Sequence, residues 1–184
     1  MAVTNFLKGM SGHQRKAAAV SDWLTPPEIV KALGPFDLDP CAPCLMAHDG
    51  KPWRTATLHH CPCDNGLEKP WKGFVWLNPP YGTRIGAWAA KMARHQDGIL
   101  LAFARLEVGW FQDSVFRRAV ALFFPAGRLR FYRPDGTPGD YTGGAPSVFA
   151  AYGPTAAERL RKLQMRGHLV TLNGKENGKL RGEV

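Results

Sequence analysis

Three short apolar runs constrain the fold most: Phe74-Val75-Trp76-Leu77, Ile99 to Ala104, and Val120 to Phe124. Each is too short to form a buried helix and has a turn residue at one end at least: Gly73 and Asn78, Gly98, and Pro125. That is the pattern of strands covered on both faces. Between them lie segments of helical period. Arg84 to His95 puts Ile85, Trp88, Ala89 and Met92 on one face, and Trp110 to Ala119 forms a second helix. Strands alternating with helices predict an α/β layer sandwich, a mostly parallel sheet with helices on both faces.

The flanks extend the pattern. Thr25-Pro26-Pro27-Glu28 reads as a helix start, with Thr25 as cap and Glu28 closing a capping box. This helix runs through Ile29, Val30 and Leu33 to Gly34, and Phe36 to Asp39 is a short strand stopped by Pro40. Arg128 to Tyr132 and Ser147 to Tyr152 read as two strands joined by a Gly/Pro-rich loop, giving the sheet an antiparallel end. Thr155 to Glu158 is a second capping box that opens a basic helix to about Arg166, and His168 to Leu172 is a last strand. Residues 1–20 read as a flexible basic arm, 21–172 as a single domain, and 173–184 as a polar tail. Within the domain, 41–72 has no strong period and reads as an irregular Cys/His/Pro-rich insertion.

Composition excludes several classes. With 45% hydrophobic and 21% charged residues among 184, the chain has a normal globular mix, which argues against disorder. No apolar run approaches the roughly 20 residues that span a bilayer. Met1 to Val20 has no apolar stretch long enough for a secretory signal. These features point to a soluble, cytoplasmic protein with no membrane partner, in which four cysteines are thiols or metal ligands rather than disulfides. The net charge is +9, an excess that favours a polyanionic partner, nucleic acid first.

The sharpest motif is Asn78-Pro79-Pro80-Tyr81 at the carboxyl end of a predicted central strand, where open α/β sheets bind ligands. Two prolines stiffen the loop. The Asn78 side-chain oxygen and the Pro79 carbonyl then form two acceptors facing one spot, which matches the two N–H donors of a planar amine. Accepting both bonds localises the nitrogen lone pair for attack on an electrophilic carbon. Tyr81 offers a face for a heterocyclic base. Positioning and differential stabilisation suffice for this chemistry, with no acid, metal or covalent nucleophile required.

The motif resembles the signature of amino-methyltransferases that use S-adenosylmethionine. The whole chain is more closely similar to the bacteriophage-type DNA N6-adenine methyltransferases (Dam-like). The matching stretches are Asp22 to Pro27, Phe36 to Ala42, Asn65-Gly66-Leu67 with Pro70-Trp71, and Val75 to Gly82. They continue with Ala104-Arg105, Trp110-Phe111, Gly127 to Leu129, Arg133 to Gly136, and Gly144 to Gly153. Asn78 to Tyr81 alone leaves glutamine or RNA guanine as rival acceptors. The ordered set points to DNA adenine.

The resemblance implies a Rossmann-like methyltransferase sheet and a phage or prophage origin. It places Trp23, Thr25 and Pro26 against the cofactor, with Asp37, Asp39 and Pro40 at the loop after the first strand, where an acid can meet the cofactor's ammonium group. That loop departs from the glycine-rich form of larger methyltransferases, and Asp39 before Pro40 also reads as a turn residue. Asp64 is a candidate for the cofactor's adenine or ribose, or a solvated loop acid. Asn78 borders both ligands.

Cys41-x-x-Cys44 and Cys61-x-Cys63 can ligate zinc, with His48, His59 or His60 as alternatives. Cys-x-Cys is the less usual half-site and Cys41 belongs to the family-like block, so free thiols are the favoured reading. A flipped base requires DNA contacts. Candidates are Arg84, Arg128, Arg130, Tyr132 and Arg133, against the alternative of a hairpin with solvated arginines. Arg159, Arg161 and Arg166 read as a solvated face, and Trp88 and Trp110 as core. Only 41–72 and 132–146 are available to read sequence, which predicts a short or loose recognition site. The rivals are the same chemistry on RNA or protein glutamine, and a zinc-stabilised non-catalytic DNA-binding module.

Overall fold

The computed structural model describes residues 23–140 and 144–172. The expected arm (1–20) and tail (173–184) lie outside the described residues. In chain order the elements are α1 (Pro27–Leu33), β1 (Leu38–Asp39), α2 (Cys44–Asp49), β2 (Leu58–His59), β3 (Val75–Leu77), α3 (Ile85–His95) and β4 (Gly98–Phe103). They continue with α4 (Gly109–Phe111), which runs into a π-helical turn (Gln112–Phe116), then β5 (Ala121–Pro125), β6 (Ser147–Tyr152), α5 (Pro154–Lys162) and β7 (Gly167–Thr171).

The strands form a mixed α/β sheet in the order β2-β1-β3-β4-β6-β5-β7. β2, β1, β3 and β4 are parallel neighbours. β6 runs antiparallel to both β4 and β5, and β7 antiparallel to β5. β1 to β5 therefore share one direction, and β6 and β7 oppose it. β4 and β6 are buried almost throughout because successive side chains enter opposite cores. On one face Ile99, Leu101, Phe149 and Ala151 pack with Ile29, Val30 and Leu33 of α1 and Ala156 and Leu160 of α5. On the other, Leu100, Ala102, Val148, Ala150 and Tyr152 pack with Trp88 and Met92 of α3 and with Phe111 and Val115. Gly98 opens β4 at φ +154°, where a Cβ would stand 2.3 Å from the Val75 carbonyl oxygen.

Several local expectations change. Neither capping box forms: Pro26 and Gly153 take the cap positions without side-chain hydrogen bonds. A proline follows each cap and already fits the first helical turn. Arg128 to Tyr132 is not a strand paired with β6. β5 fills that place, and Tyr132 instead bridges Leu24 and Pro138. The helix expected over Trp110 to Ala119 is a short α-turn followed by the π-helical turn. Arg159 is not merely solvated: it donates to the carbonyls of Leu33 and Pro35 and lies 4.2 Å from the Phe74 ring centre. Trp88 is core, whereas Trp110 is half-buried at its margin. Among the described residues no helix is long and apolar enough to cross a membrane.

Candidate active site

β1, β3 and β4 lie side by side and point the same way, so the segments after them converge at one sheet edge. Asn78 leaves the end of β3 there. Its Nδ2 donates to the Trp23 carbonyl at 3.1 Å. That carbonyl can only accept, which fixes the orientation of the amide. Asn78 Oδ1 is consequently committed to the other direction, buried and without a hydrogen-bond partner. Such orphaned acceptors cost free energy and are uncommon in folded proteins. The Cys41 thiol donates to the Asn78 carbonyl at 3.3 Å, which ties the segments after β1 and β3 together. Pro79 is buried and Pro80 exposed.

Tyr81 stacks on Phe103, at the end of β4, with ring centres 4.0 Å apart and planes 13° from parallel. One face of the ring is thus covered within the fold. Its hydroxyl is buried without a partner, and burial holds the phenol well above its ordinary pKa.

These residues border a cleft of about 210 Å³. Trp23, Thr25, Asp39, Pro40, Asn78, Pro79, Pro80 and Tyr81 line it, with Arg84 and Trp88 beside them. The hollow that the motif needs next to it is therefore present. Thr25 is 2% exposed and its hydroxyl has no partner. Asp39 is 4% exposed. It accepts from the Thr55 hydroxyl at 2.5 Å and from the Cys41 N–H at 3.1 Å. Burial pushes its carboxyl up to about 6, although the bonds from Thr55 and Cys41 pull it down. Gly66 lies on the floor of this region, where a Cβ would be 1.9 Å from the Pro40 carbonyl oxygen. Only glycine allows that approach.

Other expected site residues land elsewhere. Pro26, Asp37 and Asp64 are not among the residues lining the cleft. Asp37 accepts from the Phe74 N–H at 2.7 Å and so holds the start of β3. Asp64 accepts from the Cys61 N–H at 2.9 Å and closes a turn. Arg84 is exposed and borders the cleft. Arg128 is exposed on the stretch after β5. Arg130 donates to the Gly139 carbonyl, while Arg133 pairs with Asp140 and donates to the Pro138 carbonyl. Tyr132 sets its ring edge-on against Trp53. Arg130, Tyr132 and Arg133 thus shape the 130–140 loop rather than project freely from a hairpin.

Three of the four cysteines gather with one histidine. Cys44, His48, Cys61 and Cys63 have ligand atoms all within 4.8 Å of one another, a set able to hold a metal. Cys41 is not part of it, because its thiol is turned to Asn78. His59 is also separate: its Nε2 accepts from the N–H groups of Thr55 and Ala56, and burial lowers its pKa to about 4.

Thr55 and Phe103 were not singled out from sequence. Thr55 sits in the aperiodic insertion, 16 residues from the carboxylate it serves, and carries no motif. Phe103 had a usable signal, since it lies near the end of the strand predicted over Ile99 to Ala104. No protein-family model, curated protein or solved structure matches this chain.

Proposed function

We propose that the protein is a DNA adenine N6 methyltransferase that uses S-adenosylmethionine. The observation that carries this reading is the buried, partnerless Asn78 Oδ1 beside an open cleft, held in place by the bond from Nδ2 to Trp23. An acceptor kept unpaired inside the protein suits a ligand that brings its own N–H. The sheet, with four parallel neighbours and an antiparallel end, is compatible with a Rossmann-like methyltransferase.

In this reading Asn78 Oδ1 and the Pro79 carbonyl accept the two N–H bonds of the adenine amine. The nitrogen turns pyramidal and its lone pair points away from them. The face of Tyr81 opposite Phe103 receives the flipped base, and Phe103 keeps the tyrosine ring from turning. Asp39, when ionised, meets the ammonium group of the cofactor, and the Thr25 hydroxyl and the Trp23–Thr25 segment lie along it. The orphaned Thr25 hydroxyl and the buried carboxylate both fit a polar ligand at this place. The cofactor supplies a methyl group on a sulfonium, which makes the carbon electrophilic without help from a metal. The cleft is smaller than the roughly 300–1,000 Å³ of common ligand pockets, so the ligand pair extends through its open side. Arg84 stands where a phosphate of the extruded nucleotide can reach it. The +9 charge supports a polyanionic partner.

The test is incubation with unmethylated DNA and cofactor, followed by nucleoside mass analysis, with RNA and glutamine peptides as parallel acceptors. The parent forms N6-methyladenine, and Asn78→Ala loses at least about 100-fold in rate, as expected for a positioned polar group at a transition state. Label appearing only in RNA or peptide overturns the DNA reading. Absence of cofactor binding leaves a non-catalytic DNA-binding module.

A further inference from the structure

We propose that Cys44, His48, Cys61 and Cys63 bind one zinc ion, which staples α2 to the turn after β2 within the 41–72 insertion and fixes one wall of the cleft. The residues come from two places that the chain must bring together. Cys44 and His48 lie on α2, four apart and so on the same helical face. Cys61 and Cys63 lie on the turn after β2, which the Asp64 carboxylate holds by accepting from the Cys61 N–H at 2.9 Å.

The distances fit a tetrahedron. With Zn–S near about 2.3 Å and Zn–N near about 2.0 Å, the sulfur–sulfur edge is about 3.8 Å and the sulfur–nitrogen edge about 3.5 Å. Cys44 Sγ and Cys63 Sγ are 3.5 Å apart, and Cys61 Sγ and His48 Nε2 are 3.7 Å apart. The remaining edges are also within 4.8 Å. Three sulfurs and one imidazole complete the coordination with no open position, which marks a structural site rather than a catalytic one. Thiolate-rich tetrahedral sets favour zinc over magnesium or calcium, which want oxygen.

The insertion also needs a staple. Its own elements are a six-residue helix and a two-residue strand. Ala56 and Trp71 of the insertion join the two main cores, but the hydrophobic cluster that holds α2 has only Leu24, Ala42 and Met46 as buried members. So small a core seldom holds a segment in place unaided, and metal ligation is a common remedy. The location gives the staple a consequence. Met46, Cys61 and Pro62 line the cleft, and Thr55, which donates to Asp39, lies between the two ligand pairs in the chain. Clamping α2 to the 61–63 turn therefore holds Thr55 against the buried carboxylate. The inference does not rest on methyl transfer: it concerns metal and fold, and it stands or falls separately.

The test uses the full chain, purified without a histidine tag, chelator or added metal, in reductant. Elemental analysis is expected to find one zinc per chain. Cys44→Ser combined with Cys63→Ser lowers it to less than about a tenth, while Cys41→Ser keeps it whole. Because the double variant can fail to fold, the parent is also stripped and titrated with cobalt. Thiolate charge-transfer absorption and tetrahedral ligand-field bands appear with an end point of one cobalt, and His48→Ala shifts the ligand-field bands. Substoichiometric zinc together with no thiolate–cobalt absorption overturns the proposal. So does loss of the metal on Cys41→Ser.

Discussion

Replacing Asp39 by asparagine separates what this carboxylate does for a ligand from what it costs the fold. Its carboxyl rises from the ordinary 3.8 to about 6 because burial outweighs the bonds from Thr55 and Cys41. The folded-state value lies above the unfolded one, so the unfolded chain gives up this proton first. The associated stability is whole below about pH 4 and is lost as pH rises through about 6. At about 1.4 kcal/mol per pH unit, the ionised side chain costs the fold about 3 kcal/mol at pH 7.5. Asparagine cannot ionise, and its oxygen still accepts from Cys41 while the Thr55 hydroxyl turns to accept from its amide. The stability of Asp39→Asn relative to the parent should therefore climb by about 2.5 kcal/mol between pH 4 and pH 7.5. Urea unfolding of both proteins across that range measures it. His59, lowered to about 4, gains stability with rising pH, opposite in sign. It does so in both proteins, so the difference curve isolates Asp39. A stability difference that stays flat with pH would refute the reasoning. On the proposed function the same variant loses cofactor affinity, which makes it more stable and less active at neutral pH.

Further outcomes follow from single contacts. Gly66→Ala should destabilise by more than about 2 kcal/mol, since the new Cβ meets a backbone oxygen at 1.9 Å that no side-chain rotation can clear. Thermal unfolding checks this, and a parent-like midpoint would show that the Pro40 segment yields. Tyr81→Phe removes a buried hydroxyl that bonds to nothing, so stability should hold or rise by up to about 1 kcal/mol with methyl transfer retained. Tyr81→Ala should abolish transfer. Equal activity losses in the two variants would mean that the hydroxyl, not the ring face, matters.

Much of the layer architecture is legible from local pattern, because a strand buried on both faces must be apolar throughout. Phe74 to Leu77 and Ile99 to Ala104 are therefore visible before any fold is known, and hold the strands Val75–Leu77 and Gly98–Phe103 to within a residue. Chemistry concentrated in one short segment is legible too: the two prolines, the amide and the ring of Asn78 to Tyr81 carry their meaning in sequence. The cysteines were harder to sort. Spacing groups Cys41 with Cys44, whereas folding turns Cys41 to the Asn78 carbonyl and brings His48 into the cluster.

What the amino-acid order determined alone is the buried central strands and the donor–acceptor capacity of one corner. Both depend on neighbours a few residues away. Tertiary structure decided which side chains end up unpaired or paired across the chain. It set Thr55 on Asp39, Phe103 on Tyr81, Arg159 on the carbonyls after α1, and β5 in the place expected for 128–132. Those choices arise from burial and the demand that buried polar groups find partners, a condition settled over the whole molecule at once.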